Sequence, residues 1–213
     1  MPPIRFTEID ETNIGIHPRL TTEDKCFFLF EYTSGKRYDF SATNNLISTL
    51  KRKPGAKGQY YKDQAIARCA TFLREALNPD WLATATLVPA PPSKAVQDPA
   101  YDNRMERICR LMGNGLDVRC LVRQTCSTVA AHEANSGCRP SVEDLLAVYE
   151  IDETKAAPQP QRIGIVDDVL TAGTHFRALE IKLHERFPDM PIVGLFIARR
   201  VFPEIEFPNF DDF

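Results

Sequence analysis

The clearest pattern of hydrophobic and polar positions lies in the last third of the chain. Residues 163–166 and 192–198 are short apolar runs, which are typical of buried strands. The segment 174–187 between them is amphipathic at helical spacing, and its apolar face is formed by Phe176, Leu179, Leu183 and Phe187. A strand, a helix and a second strand in this order predict a βαβ unit, and therefore a parallel sheet.

Weaker patterns extend this picture towards the N-terminus. The spacing of apolar residues predicts helices at 45–53, 59–77 and 104–112, and strands at 84–88 and 118–122. The run Ser141-Val142-Glu143-Asp144 has the form of a capping box. It predicts a helix that begins there and passes into a strand near 148–151.

The N-terminal region has a different character. Residues 26–40 contain two strand-like runs around Thr33-Ser34-Gly35, which predict a β-hairpin. We therefore predict an N-terminal hairpin and helix region, here called the hood, at 1–80, a core at 81–200 and a C-terminal tail at 201–213. The predicted fold class is α/β, with a mostly five-stranded parallel sheet and helices on both faces.

Composition narrows the class of protein. The 213 residues are 43% hydrophobic and 26% charged, which fits one globular domain and excludes wholesale disorder. The net charge of −3 gives no overall positive field, so it does not indicate nucleic acid or an anionic membrane as a partner. No apolar run approaches the roughly 18 residues of a membrane span, and residues 1–5 lack the layout of a secretory signal. We expect a cytoplasmic protein without a membrane partner.

Neither the cysteines nor the histidines follow a known metal or disulfide pattern. The six cysteines are scattered without a CxxC pair, so we expect reduced thiols. The four histidines never occur at i, i+3 or i+4 spacing. A structural zinc site is therefore not expected.

The most informative motif runs from Ile165 to His175, across the predicted strand, loop and helix start. Adjacent carboxylates, Asp167 and Asp168, end the strand, and small or hydroxyl residues lead into the helix. Ligands bind at the carboxyl ends of parallel strands, and a helix N-terminus suits a phosphate. Carboxylates suit sugar hydroxyls or a hydrated divalent cation. A ribose 5-phosphate matches all of these groups; the simpler alternative is that the carboxylates only cap the turn.

This segment resembles the phosphoribosyl-pyrophosphate (PRPP) motif of type I phosphoribosyltransferases, and most closely that of competence-protein-F-like stand-alone bacterial members. The resemblance implies that Asp167 and Asp168 bind the ribose 2- and 3-hydroxyls and Mg²⁺, directly or through water. It also implies a 5-phosphate loop formed by Thr171, Ala172, Gly173, Thr174 and His175. Ala172 replaces a frequent Thr of the family, and His175 replaces a final Thr or Ser, so an imidazole N–H takes the place of a hydroxyl.

A second segment, 87–94, resembles the first core strand and pyrophosphate loop of the same family. The resemblance implies that Ser93 and Lys94 bind pyrophosphate through a hydroxyl and an ammonium group. The prolines of this loop reduce its number of N–H donors, which leaves more of the binding to those two residues. Arg104 is a third candidate pyrophosphate ligand, and a salt bridge with Asp102 is the equal alternative.

The aperiodic stretch 123–140 occupies the place of the family's flexible catalytic loop, and we expect it to order as a lid when PRPP binds. Arg139 matches a recurrent family arginine. His132 is a candidate acid for the leaving diphosphate, with an exposed loop histidine as the equal alternative. Cys126 and Cys138 have no neighbouring base, so neither is expected to be a nucleophile.

The resemblance implies a PRPP- and Mg²⁺-dependent phosphoribosyltransferase that transfers to a nitrogen nucleophile and releases pyrophosphate. Its implied catalytic residues are Asp167, Asp168, Arg139 and His132. The small-molecule acceptor stays open, because aromatic residues of 26–40 can either stack on a base or form core: Phe27, Phe28, Tyr32 and Tyr38. The alternative is a non-catalytic PRPP- or nucleotide-sensing or effector module in a bacterial multi-protein system of DNA uptake or phage defence. A homodimer or a protein partner fits either function.

Overall fold

A computed structural model describes residues 3–127 and 140–203. Its helices are α1 (Ala42–Leu50), α2 (Gln59–Ala76), α3 (Pro79–Leu82), α4 (Arg104–Leu111), α5 (Val142–Val148) and α6 (Thr174–Arg186). Its strands are β1 (Thr7–Glu8), β2 (Cys26–Thr33), β3 (Thr86–Pro89), β4 (Asp117–Val118), β5 (Val122–Gln124), β6 (Tyr149–Ile151), β7 (Ile163–Leu170) and β8 (Ile192–Val201). Two 3₁₀ turns lie at Ile14–Ile16 and Glu153–Lys155.

Six strands form the main sheet in the order β1-β2-β8-β7-β3-β4. The pairs β2–β8, β8–β7, β7–β3 and β3–β4 are parallel, and only the edge strand β1 is antiparallel. The antiparallel pair β5–β6 forms a separate small sheet. The predicted α/β class and parallel sheet are confirmed, and the βαβ unit β7–α6–β8 lies at the centre of the sheet.

Helices cover both faces of the sheet. One face packs against α1, α2 and α4, and its core includes Leu50, Ile66, Leu73, Ile108 and Val166. The other packs against α5, α6 and the small sheet, and its core includes Leu145, Ile165, Phe176, Leu179 and Phe196. The described residues thus form three layers with the sheet in the middle.

The predicted hairpin at 26–40 is wrong. Its first half is β2, which pairs in parallel with β8 instead of with residues 37–40. The physical reason is that both faces of β2 are covered: Phe28 is buried in one core, while Phe27 and Phe30 pack against the other. A strand covered on both faces belongs inside a sheet. The N-terminal 80 residues therefore contribute two strands, β1 and β2, and two helices, α1 and α2, to the layers of the core, instead of the hairpin that defined the predicted hood.

The predicted strand at 118–122 is also wrong, because two strands replace it. Asp117 and Val118 pair with β3, whereas Val122 already pairs with Ile151 of β6. A hydrogen bond from the Leu121 N–H to the Arg119 carbonyl turns the chain between them. The chain leaves the main sheet at this turn, which a continuous apolar run does not reveal.

Other predictions are confirmed to within a few residues. The helices α1, α2, α4 and α6 occupy the predicted segments, and α5 passes directly into β6. Ser141 and Asp144 form the predicted capping box at the start of α5. None of the helices within 3–127 and 140–203 is long and apolar enough to cross a membrane. The five described cysteines are free.

Candidate functional site

The adjacent carboxylates of β7 reach the carboxyl edge of the sheet but belong to different layers. Successive side chains of a strand point to opposite faces, so Asp167 and Asp168 diverge. Asp168 contacts cations from the layer of α1, α2 and α4. The charge of Asp167 acts instead on Tyr149, where α5 passes into β6. Two residues that are neighbours in the sequence thus have separate surroundings.

Asp168 is buried and paired with two cations. Its Oδ2 accepts hydrogen bonds from Nε and Nη2 of Arg104 at 3.1 and 2.7 Å. Its Oδ1 lies 3.0 Å from Nζ of Lys51. Burial opposes ionisation, but the charges of Lys51 and Arg104 hold the pKa of Asp168 well below its usual range. Asp168 is therefore ionised, and most of its hydrogen-bonding capacity is already used.

Arg104, the first residue of α4, joins Asp168 to a second carboxylate. Its Nη1 donates to Oδ2 of Asp102 at 2.8 Å. The two carboxylates together raise the pKa of Arg104 despite its burial. The alternative interpretation of Arg104 as a salt-bridge partner of Asp102 is confirmed, although the guanidinium also binds Asp168.

Lys62 of α2 closes this set of contacts into a ring. Its Nζ donates to Oδ2 of Asp102 at 2.7 Å and to the carbonyl oxygens of Leu50 and Arg52 at 3.0 and 2.5 Å. Leu50 and Arg52 flank Lys51, whose own ammonium returns to Asp168. We call these five charged residues the charge ring: Lys51, Lys62, Asp102, Arg104 and Asp168.

The ammonium of Lys62 is the most buried member of the charge ring, since the residue is 1% exposed. Burial lowers the pKa of Lys62, and the hydrogen bond to Asp102 opposes this change. A buried cation is tolerated only when its donors are satisfied. Three acceptors surround this one, so the ring holds the turn at 50–52 against the start of α4.

Asp167 is half-buried and far less engaged. Its Oδ1 accepts the backbone N–H of Asp168 at 2.7 Å. No side chain of the described residues donates a hydrogen bond to it. Burial and the charge of Asp168 raise the pKa of Asp167 above its usual range. Asp167 is therefore the carboxylate of the pair with acceptor capacity left for a ligand.

The loop after β7 turns sharply into α6. Gly173 adopts a φ of 87°, in the left-handed region, and forms the N-cap of the helix. A Cβ at this position would lie 3.0 Å from a methyl carbon of Leu20, so both the conformation and the space require glycine. The first N–H groups of a helix have no partner inside it. The first turn of α6, which starts at Thr174, therefore offers donors at the end of β7.

An N-terminal segment braces this loop from outside. The Arg19 N–H donates to the Ala172 carbonyl at 2.9 Å. Nδ1 of His17 contacts the carbonyl oxygen of Thr171. His17 is fully buried, burial lowers its pKa, and its Nε2 has no hydrogen-bond partner among the described residues. The carbonyls of Thr171 and Ala172 therefore face the brace.

His175, which departs from the family pattern, lies in the first turn of α6. Its Nδ1 is 3.3 Å from the Tyr149 hydroxyl. Burial lowers the pKa of His175, so the imidazole is neutral and carries one N–H. Its contribution to phosphate binding is therefore at most a hydrogen bond without a positive charge.

The predicted pyrophosphate loop follows β3 and is fastened to the end of β5. The Ser93 carbonyl accepts from Nε2 of Gln124 at 2.7 Å. The Ala95 N–H donates to Oγ of Ser127 at 3.1 Å. These bonds hold the backbone of the loop in place next to the start of the predicted lid.

Lys94 lines a cleft of about 600 Å³ between this loop, the start of α4 and the small sheet. Asp102 lines the same cleft and also binds Arg104. Asp167, Asp168 and residues 171–175 are not among the described residues that line it. The structure thus brings Arg104 to Asp168, but it places Lys94 in a neighbouring cleft, with Asp102 and Arg104 in between.

Several predicted residues cannot be placed. His132, Arg139 and Cys138 lie outside the described residues, as does most of the predicted lid. Cys126, just before that segment, is exposed. The catalytic roles of His132 and Arg139 stay predictions.

Sequence reasoning missed the residues that reach the β7 edge from far along the chain: Lys51, Lys62, His17 and Arg19. Lys62 did leave a trace, because it falls on the apolar face of α2 with Ile66 and Leu73. A charge at such a position indicates a buried partner. His17 has no comparable pattern around it.

Comparisons with known proteins add no assignment to this geometry. No protein-family model matches the chain, and no curated protein matches it. Within the described parts of the chain, no group of three or more His, Cys, Asp or Glu residues is arranged to hold a metal ion.

Proposed function

We propose that the chain is a phosphoribosyltransferase with a type I phosphoribosyltransferase fold. It transfers the phosphoribosyl group of PRPP to a nitrogen nucleophile and releases pyrophosphate. The observation that carries the proposal is that the two predicted phosphate-binding loops, the part of 87–94 after β3 and residues 171–175, follow adjacent parallel strands, β3 and β7. Both loops leave the same edge of the sheet. A ligand with a phosphate at one end and a diphosphate at the other fits between them.

In this proposal the ribose lies against Asp167. Its available carboxylate oxygens accept hydrogen bonds from the vicinal hydroxyls. The first turn of α6 donates to the 5-phosphate, with Gly173 allowing close approach of the backbone. Asp168 acts mainly by holding Arg104 in position beside the sugar.

The leaving diphosphate meets Lys94 and the two remaining guanidinium hydrogens of Arg104. Mg²⁺ fits this donor set only as part of the substrate. Asp167 is a single available carboxylate, and Mg²⁺ is commonly bound by one or two carboxylates together with substrate phosphates and water. When bound in this way, the ion neutralises charge on the diphosphate.

The reaction needs no covalent bond to the protein. The bond between C1 and the diphosphate oxygen breaks, and its electron pair leaves with pyrophosphate. Positive charge then develops on C1 and the ring oxygen, as in glycoside chemistry. The negative charge of Asp167 stabilises that cation. The lone pair of the acceptor nitrogen forms the new C1–N bond, and the nitrogen releases its proton.

One observation favours a second function. Asp168 is fully engaged by Lys51 and Arg104, which leaves one free carboxylate where the family pattern implies two. A site of this kind suits a module that binds PRPP or a nucleotide without turnover. Such a sensor would act through a second copy of the chain or a protein partner.

Binding is tested by calorimetry with Mg²⁺ and PRPP. The double variant Asp167→Asn, Asp168→Asn should lose at least tenfold in affinity, about 1.4 kcal/mol, because the amides cannot match the carboxylates as acceptors. Asp189→Asn, at an exposed position, is the matched control. Unchanged affinity in the double variant overturns the site.

Turnover is tested by pyrophosphate release from PRPP, with and without a panel of nitrogenous bases. Release that depends on a base supports the transferase. Tight binding without release supports the sensor, and neither binding nor release contradicts both functions.

A variant of Lys94 tests whether this residue binds the diphosphate end of the ligand and not the 5-phosphate end. Lys94→Ala should weaken binding of PRPP more than binding of ribose 5-phosphate, because Lys94 lines the cleft beside the loop after β3, which residues 171–175 do not line. Equal losses for both ligands would mean that Lys94 supplies only general positive potential.

A further inference from the structure

A second groove lies between α1 and α2 and shares no lining residue with the site at β7. Its volume is about 370 Å³. Leu46 and Ala65 are buried at its floor, and the other lining residues are Tyr38, Asn45, Ser48, Thr49, Arg52, Tyr61, Gln64 and Arg68. We call it the α1–α2 groove.

Each helix contributes one continuous stripe to this groove. Residues 45, 48, 49 and 52 come from α1 and its end, and residues 61, 64, 65 and 68 come from α2. Both sets follow the spacing i, i+3, i+4, i+7, which places their members on one side of a helix. The groove is therefore a regular feature of the packing of two helices.

The groove combines aromatic rings and cations without any acid. The rings of Tyr38 and Tyr61 belong to residues that are 53% and 60% exposed. No hydrogen bond or ion pair within the described chain engages the guanidinium of Arg52. The guanidinium of Arg68 lies 5.7 Å from the ring of Phe72. No carboxylate is among the residues that line the groove.

The surrounding segment is strongly basic, although the whole chain is acidic. Residues 36–68 contain eight lysines and arginines but only two acids, Asp39 and Asp63. Asp63 is already bound to Arg107 at 2.8 Å. The overall charge of −3 thus hides a local positive field around the groove.

We propose that the α1–α2 groove binds a nucleotide unit. The planar base stacks on Tyr61 or Tyr38, since aromatic side chains accept any base by stacking. The phosphate pairs with Arg52 or Arg68, whose planar guanidinium suits phosphate oxygens. The neutral side chains of α1 provide hydrogen bonds to the base edge or sugar. The same chemistry is found in a free mononucleotide and in a single-stranded nucleic acid.

The test measures binding of three probes to the intact protein: a fluorescein-labelled 20-nucleotide oligo-dT strand, AMP and inorganic phosphate. Tyr61→Leu and Arg52→Gln should each weaken binding of the strand or of AMP at least fivefold. Phe202→Leu and Arg5→Gln are matched controls, because both residues are exposed and neither lines the groove. The controls should change affinity less than twofold. Arg52→Gln should also reduce the salt dependence of strand binding.

The three probes show whether the nucleotide unit comes from a free mononucleotide or from a single-stranded nucleic acid. Binding of the strand without AMP identifies single-stranded nucleic acid, whereas binding of AMP at comparable affinity identifies a free nucleotide. Either result supports the groove when Tyr61→Leu and Arg52→Gln weaken that binding, because AMP bound at the proposed β7 site would not respond to these variants. Displacement of both by phosphate alone at the same concentration contradicts it, since a bare anion patch needs no stacking. Equal losses in Phe202→Leu and Tyr61→Leu, or no binding of any probe, also overturn it. PRPP binding at β7 is independent of every one of these outcomes.

Discussion

Each side of β7 carries one carboxylate, Asp168 on one side and Asp167 on the other. The surroundings of these two carboxylates shift their pKa values in opposite directions. On the side of α1, α2 and α4, Asp168 belongs to the charge ring, and the cations hold its pKa well below the usual range. On the side of α5 and α6, Asp167 forms no ion pair within the described residues, and burial together with the charge of Asp168 raises its pKa. The comparison teaches that strand alternation alone can divide an Asp-Asp pair into a structural ion and an available acceptor.

The physical origin of the difference is the supply of donors from distant segments. Lys51 and Arg104 reach Asp168 from the end of α1 and the start of α4. Among the described residues, only the backbone N–H of Asp168 donates a hydrogen bond to Asp167. Two carboxylates this close are not both ionised without cost, so Asp168 ionises first and Asp167 loses its proton only at higher pH, since its pKa is raised to about 7.

The largest expected effect comes from breaking the ring at its most buried member. Lys62→Met should destabilise the protein by about 3–5 kcal/mol, because it breaks a buried ion pair and leaves Asp102 with Arg104 as its remaining cationic partner among the described residues. The carbonyls of Leu50 and Arg52 lose the same donor. The measurement is the free energy of unfolding in urea.

A double variant checks that this loss arises from the ion pair. Lys62→Met combined with Asp102→Leu should be less destabilising than the sum of the two single variants, since it removes both buried charges. Strict additivity would mean that the ring is not a coupled network.

The next largest effect is the pH dependence of stability, which should differ between variants of Asp168 and of Asp167. A lowered pKa contributes stability above the usual value of about 4, and this contribution is lost as the pH falls. Asp168→Asn should therefore cost about 3 kcal/mol at neutral pH and progressively less below pH of about 4. Unfolding is followed in urea at a series of pH values.

Asp167→Asn should behave in the opposite way. A raised pKa is favourable below the usual value and becomes unfavourable as the pH rises through the folded value. The variant should therefore gain stability relative to the wild type as the pH rises above about 4. Parallel profiles for the two variants would contradict the division of roles.

The fold could be predicted from the sequence in part. The unit β7–α6–β8 was predicted closely because its apolar runs and helical spacing are local features. The strand β2 was misplaced because its two-sided burial depends on β8, more than 160 residues away in sequence. Local sequence patterns predict where helices and strands lie. Which strands pair with each other depends on segments that are far apart in the chain.

The same distinction applies to the candidate site: its contiguous residues could be predicted from the sequence, and the residues that reach it from distant segments could not. The Asp167 and Asp168 motif, the loop and the helix start are contiguous, so the sequence places them together. The charge ring joins Lys51 to Asp168 across most of the chain, and no spacing rule relates these residues. Residues 51–58 form a basic turn in which Lys57 is exposed, whereas Lys51 pairs with Asp168.

A smaller effect sharpens the comparison at the exposed edge of the ring. The side chain of Lys51 is 30% exposed, so its pair with Asp168 is partly screened by solvent. Lys51→Met should cost about 1 kcal/mol or less in unfolding free energy and raise the pKa of Asp168. Lys57→Met, which removes a charge from the same turn, should have no measurable effect. A loss in Lys51→Met as large as that in Lys62→Met would mean that the contribution of a charge-ring residue to stability does not increase with its burial.

The smallest effect is expected on the side of Asp167. Tyr149→Phe removes one hydrogen bond, at 3.3 Å, between the hydroxyl and Nδ1 of His175, and leaves the buried ring in place. Because both partners are neutral, the loss should be about 1 kcal/mol or less, measured by urea unfolding at neutral pH. Tyr60→Phe is the matched control, since its hydroxyl accepts from Gln64 at an exposed position. If Tyr149→Phe cost as much as Lys62→Met, neutral contacts would be as important on one side of β7 as the ions are on the other. The two sides would then differ in charge but not in how strongly their polar groups support the fold.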